Sequence, residues 1–261
     1  MKNFISLALS AAILLVSCTK DHDNAKNRIF KGPEQKVYQG KSWTWVQLDK
    51  FDKPERLGIT LTDAALNSVP VGDHGEGDHD HDHEASWTLQ FHPKASVTPF
   101  NHVGMGWNPN GHEPETIYGK PHFDFHFYMM TPGEVAAIPP YEVDSLKFKN
   151  WPAPTYFPPA YFNAGGGVPQ MGAHWVDLTS GEFNGQGFTQ TFIYGSYDGK
   201  VTFYEPMITL EFLKNNSNFE RPIPQPAKFQ KSGYYPTKLR VVRHDGVTEI
   251  ILDEFIYRTA S

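Results

Sequence analysis

The 261-residue chain has one cysteine, Cys18. A lone thiol can form neither an internal disulfide nor a thiolate zinc centre, so any metal chemistry must rest on imidazole and carboxylate. Positive charge is short as well. Lys and Arg number 23 against 29 Asp and Glu, a formal charge of −6, which argues against nucleic acid as a partner. The G-x-S-x-G elbow, the P-loop and the dinucleotide-binding glycine signature are all missing, which removes the common hydrolase, NTPase and Rossmann classes. Long helical periodicities are lacking too, and 21 Pro with 22 Gly speak for many turns between short elements.

The one long apolar run is Phe4 to Val16, preceded by Lys2 and Asn3 and closed by Leu15-Val16-Ser17-Cys18. It is too short for a membrane span and reads as a signal peptide over residues 1–17. Its end resembles the lipobox of bacterial lipoproteins, in which the cysteine is lipidated and becomes the mature N-terminus. The expectation is lipidation at Cys18, a membrane partner through that anchor, and an outer-membrane lipoprotein, periplasmic or surface-exposed, because Thr rather than Asp stands at position 19. Residues 18–36 are charged and aperiodic, which predicts a flexible tether, and 37–261 read as a single β domain.

Within that domain Ser42 to Leu48, Arg56 to Thr60, Ser86 to His92 and Pro99 to Trp107 alternate or run apolar as strands do. Phe188 to Tyr194 and Val201 to Phe212 are expected to pair through Ser196-Tyr197-Asp198-Gly199, and Lys238 to Arg243 with Val247 to Tyr257 through His244-Asp245-Gly246. Thr62 begins one short helix, and the capping-box pattern of Thr131-Pro132-Gly133-Glu134 begins another over Pro132 to Ala137. The fold class is therefore mainly β, an antiparallel sandwich or barrel with two or three short helices. Residues 151–170, rich in Pro, Gly and aromatics, are expected to drape over the sheet as a lid or rim.

Two stretches carry metal-competent side chains. Asp73 to Glu84 contains His74, His79, His81 and His83 among acids and no large apolar residue. It reads as a loop outside the core, either a weak divalent-cation trap resembling the His-rich loops of periplasmic zinc-transport proteins or a solvated acidic loop. Pro121 to Tyr128, P-H-F-D-F-H-F-Y, is different. In a strand His122, Asp124, His126 and Tyr128 share one face while Phe123, Phe125 and Phe127 share the other. The aromatic face belongs to a core, and the polar face needs partners. His174 and Glu205, on neighbouring apolar strands, complete the candidate ligand set His122, Asp124, His126, His174 and Glu205; His102, His112 and Tyr128 stand behind it.

Strand rise limits how these can act together. Residues four apart lie about 13 Å apart along a strand, too far for His122 and His126 to share one ion, whereas residues two apart lie about 6.6 Å apart and can. A bend, two separate ions, or a helix would each resolve this. The helix is disfavoured by the aromatics and by Pro121, and a metal-free polar network of His, Asp and Tyr is the remaining alternative. Three His and one Glu resemble the ligand set of cupin barrels, but the cupin H-x-H spacing with a following Glu is absent from the strands, so that likeness is one of architecture alone.

Taken together, G-W-N-P-N-G-H-E-P at 106–114, P-H-F-D-F-H-F-Y-M at 121–129, V-P-Q-M-G-A-H-W at 168–175 and Y-G-S-Y-D-G-K-V-T-F-Y-E-P-M at 194–207 resemble an uncharacterised bacterial family of exported proteins, a domain of unknown function, over roughly Trp43 to Leu213. The resemblance implies export and no particular chemistry. The residues themselves point first to an envelope lipoprotein binding a divalent transition metal, most naturally zinc, for metal binding or envelope homeostasis. The alternatives are a metal-dependent enzyme with an open coordination position, where Tyr128 or Glu205 handles a proton, and a glycan-binding or assembly module using the aromatics of 151–162.

Overall fold

The computed structural model describes residues 28–72 and 85–261. The expected signal peptide, Cys18 and the His-rich stretch with His74, His79, His81 and His83 lie outside the described residues. Among the described residues strand structure is present ahead of Val37: β1 (Arg28–Lys31) and β2 (Gln35–Val37) both pair with β3 (Gly40–Leu48), so the described part of the expected tether contributes two short strands to the sheet. β3 continues into β4 (Pro54–Thr62), and the Thr62 side chain accepts from the Ala65 amide to start α1 (Asp63–Ser68), as its N-cap position predicts.

After residues 73–84 come β5 (Ala85–Gln90) and β6 (His102–Asn108), then α2 (Glu115–Tyr118) and β7 (His122–Tyr128). The capping box at Thr131 is complete, with both reciprocal hydrogen bonds formed, and α3 (Pro132–Ala136) follows it; α4 (Ser145–Lys149) comes next. β8 (Tyr161–Asn163) and β9 (Ala173–Asp177) lead to the long hairpin of β10 (Gln190–Tyr197) and β11 (Lys200–Thr209). That hairpin ends earlier than its apolar pattern suggests. Thr209 accepts from the Phe212 amide and turns the chain into α5 (Leu210–Asn215), so Leu210 to Phe212 are helical rather than extended. β12 (Asn218–Pro222), β13 (Gly233–Tyr235), β14 (Lys238–His244), β15 (Val247–Asp253) and β16 (Ile256–Arg258) complete the chain.

Two seven-stranded antiparallel sheets result: β1-β3-β4-β15-β14-β12 with β2 on β3, and β5-β6-β7-β11-β10-β9-β8; β13 and β16 form a small third sheet. The architecture is sandwich-like, with no closed barrel among the described residues. The core lies between the two large sheets, where Val46, Leu57, Ile59 and Leu61 of the first meet Trp107, Phe123, Phe125, Phe127 and Tyr204 of the second. Among the described residues five short α-helices flank the sheets, two more than the expected upper bound, and none is long and apolar enough to cross a membrane.

The 151–170 segment does more than drape. Phe157 stacks on Trp175 with ring centroids 3.9 Å apart, and Tyr161 donates to the Phe192 carbonyl from within β8, so part of the segment is the sheet's own edge strand. Phe157 and Tyr161 are buried, while Trp151 and Phe162 are exposed.

Candidate metal centre

β7 is buried along its whole length on both faces. Its phenylalanines face the core; its other face is covered by two small apolar clusters. One comprises Tyr118, Val176, Phe188, Ile193 and Met207, the other Tyr128, Val135 and Phe203. Between them runs a polar band. Tyr204 pairs with Phe127 and Met207 with Asp124 across β7 and β11, a register that sets Glu205 beside His126. On β10, Gly195 pairs with both Phe203 and His174. A side chain there would sit 2.0 Å from the Phe203 ring, so glycine lets that ring lie against His126 and His174, 4.9 and 5.2 Å from their centroids.

The band divides into two three-residue groups whose ligand atoms lie within 4.8 Å of one another: His126, His174 and Glu205, and His112, His122 and Asp124. Each could hold a metal ion. His122 and His126 thus belong to different groups, which is what the 13 Å strand spacing requires, and the strand does not bend to unite them. Asp124 goes with His122 rather than with His126. His112 arrives from the turn after β6, where Gly111 has φ +75° and a side chain would strike the Tyr118 carbonyl at 2.1 Å.

In the first group His126 Nε2 lies 3.3 Å from Glu205 Oε1, and His174 Nε2 lies 3.6 Å from Glu205 Oε2. His126 Nε2 nevertheless makes no hydrogen bond among the described residues, so its approach to the carboxylate is close but misaligned for an N–H···O bond. Backbone hydrogen bonds at Gly104 and Gly172 serve the two imidazoles. In the second group Asp124 Oδ1 lies 3.2 Å from His122 Nε2 and Asp124 Oδ2 lies 3.8 Å from His112 Nε2. His122 Nδ1 donates to the Lys120 carbonyl at 2.6 Å and His112 Nδ1 to the Glu113 carbonyl at 2.8 Å, so in the neutral rings Nε2 carries the lone pair and points at the carboxylate. Asn108 Nδ2 donates to Asp124 Oδ2 at 2.8 Å and steadies the acid.

These spacings have a physical meaning. Ligand atoms about 2.0–2.1 Å from a tetrahedral ion stand roughly 3.4 Å from one another. The 3.2–3.8 Å separations bracket that edge.

Burial drives the protonation states. It pushes His126 down to about 4 and His174 down to about 3, keeping both rings neutral and their nitrogens basic toward a metal at neutral pH. Burial pushes the Asp124 carboxyl up, but the positive charge of His122, when that ring is protonated, more than offsets this and holds the carboxyl below its ordinary value. The groups differ in access: the His112 side chain is 39% exposed and that of His174 21%, against 5% or less for the remaining four.

Set against protein-family profiles, curated proteins and solved structures, the chain finds no match. The site must speak through its own geometry. His102 stacks on Tyr128 at 5.0 Å and is pushed down to about 4 by burial, but it joins neither group. Tyr128 stacks on His126 at 5.4 Å and donates its hydroxyl to the Gln170 carbonyl, so it braces the imidazole. His112, ranked behind the others on sequence, is a full member. Tyr118 was not legible at all. It shares a small apolar cluster with Ile193 and Met207, the cross-strand partners of Glu205 and Asp124, and its buried hydroxyl has no hydrogen-bond partner among the described residues. Burial, then the carboxylates of Glu182, Glu205 and Asp124, push that hydroxyl's ionisation up.

Proposed function

We propose that the protein is an envelope lipoprotein whose β domain holds two divalent transition-metal ions, zinc most naturally, one in each His-His-carboxylate group. Supporting this above all is the pair of triads in which imidazole Nε2 atoms face a buried carboxylate at tetrahedral-edge distances. A hydrogen-bonded network brings donors to acceptors, as Asn108 does toward His122 and Asp124 in the second group; in the first, among the described residues, His126 Nε2 has a carboxylate beside it and no hydrogen bond. Zinc suits ligands that are imidazole and carboxylate without thiolate, and three protein ligands are a set it accepts. The role is metal binding or envelope homeostasis, with export and lipidation at Cys18 as the leader and the family resemblance imply.

Metal analysis of tag-free protein tests this. Two ions per chain are expected, falling to one in His122→Ala and in His174→Ala and to none in the double variant. Sub-stoichiometric metal, unchanged in all three, would sink the reading.

A second reading draws on Tyr118. Three protein ligands leave a tetrahedral ion one position for water, and a buried phenol that lacks a partner among the described residues and feels the charge of both carboxylates is a candidate to bond such a water. On that reading the protein is a metal-dependent enzyme in which Tyr118 takes the role first assigned to Tyr128, whose hydroxyl already serves Gln170, or to Glu205, which already faces two imidazoles. Replacing zinc by cobalt(II) gives a visible spectrum sensitive to the bound water: Tyr118→Phe is expected to shift its pH dependence without loss of metal, and an unchanged profile would count against it.

A further inference from the structure

Away from the metal band, a cavity of about 340 Å³ opens where the β10–β11 hairpin meets the 226–235 segment. Its volume lies in the range of small-molecule sites. The floor is aromatic: Tyr204, Tyr235 and Phe229 stand together, with Phe229 and Tyr235 centroids 4.4 Å apart and Tyr204 and Tyr235 6.4 Å apart. Met129 and Met130 form an adaptable wall.

The rim is basic. Lys200, Lys228 and Lys231 line it against a single acid, Glu134, on a chain whose formal charge is −6. Glu134 is already engaged by Thr131 at the start of α3, and among the described residues none of the three lysines forms an ion pair. The tyrosine hydroxyls are committed too, Tyr235 to the Lys231 carbonyl and Tyr156 to a Ser261 oxygen. The lysines are therefore the groups left to recognise a ligand, and they call for negative charge above a flat apolar body.

We propose that this cavity binds a small organic anion with a planar apolar body, an aryl carboxylate or aryl phosphate. The aromatic floor accepts the ring by stacking and edge contacts, while Lys228 and Lys231 hold the anionic head at the rim. The site is independent of the metal ions.

The test is titration of the full, tag-free chain with 2-naphthoate, followed by calorimetry or aromatic fluorescence. Saturable binding is expected, weakened by salt, unaffected by chelators, and about tenfold or more weaker in Lys228→Gln/Lys231→Gln, an exposed double variant that leaves the core intact. The neutral 2-naphthalenemethanol should bind more weakly and the 2-naphthylmethylammonium cation not at all; 2-naphthyl phosphate against 2-naphthoate then tells which head group the rim prefers. No saturable binding at millimolar naphthoate, equal binding of the neutral analogue, or binding lost on chelation yet kept in the double variant would overturn the proposal, the last by assigning the anion to the metal ions.

Discussion

The two large sheets treat their outer faces in opposite ways. On the first, β12, β14, β15 and β4 present a ladder of alternating charge: Arg240 reaches Asp253 and Glu220, Arg56 also reaches Asp253, and Lys238 lies 2.7 Å from Glu254. Most of these groups are partly exposed, and each positive side chain meets an acid. On the second sheet the outer face carries imidazoles and carboxylates, the acids in near-complete burial, with Glu205 2% exposed and Asp124 5%. Surface ion pairs of the first kind contribute little to stability because water screens them. Buried acids and imidazoles of the second kind cost several kcal/mol each unless something holds them. The contrast is the motive for the proposed site: a sheet that merely needed solubility would look like the first.

Metal removal should separate the faces most sharply. If each ion is present at about a thousandfold its dissociation constant, it contributes about 4 kcal/mol, so stripping both should lower the Tm by roughly 15 °C or more for a domain of this size. Thermal melts with and without chelator check this, and a Tm that does not move removes the distinction. Next comes Asp124→Asn. It leaves the shape intact but takes the charge from the proposed ion beside His122 and weakens the Asn108 hydrogen bond, and should cost about 3 kcal/mol in urea unfolding of the metal-loaded protein at pH 7.

The pH dependence of the metal-free protein comes third. His102, His126 and His174 have folded-state values pushed down by burial to about 4, 4 and 3, below the ordinary value of 6.5. The unfolded chain therefore binds protons first as pH falls. The stability these rings contribute is whole above about pH 6.5 and is lost progressively down to about pH 4 for His102 and His126 and about pH 3 for His174, by about 1.4 kcal/mol per pH unit for each ring. Urea midpoints between pH 7 and 4.5 should fall accordingly, and less steeply in His102→Ala. The smallest effect belongs to the first sheet. Lys238→Ala removes contacts to Glu220 and Glu254 and should change stability by less than about 1 kcal/mol, with what change there is fading in high salt.

Much of the fold was legible because it rests on local rules. The alternation at 122–128 separates core from band, Asp198-Gly199 and Asp245-Gly246 make the hairpin turns, and Thr131 with Glu134 makes its capping box. What escaped rests on distant partners. Ile29 and Phe30 are too short a pattern to announce a strand, and they become one because the edge of β3 is open to them. Leu210 to Phe212 are apolar enough to prolong β11, and only the Thr209 cap turns them.

The site divides along the same line. Strand rise alone forbids His122 and His126 a common ion, but which group each joins depends on the β7–β11 register and on a loop that delivers His112, and neither is written in the spacing of the motif. Tyr118 is likewise invisible in sequence, since its importance lies in an unmet hydroxyl over strands 75 and more residues further on.

The central claim, that one strand face serves two ions, is tested most directly by anomalous diffraction at the zinc edge on zinc-loaded crystals of protein lacking residues 73–84. The account predicts two peaks on the outer face of the second sheet, one among His126, His174 and Glu205 and one among His112, His122 and Asp124. A single peak shared by His122 and His126, or no peak on that face, would contradict it.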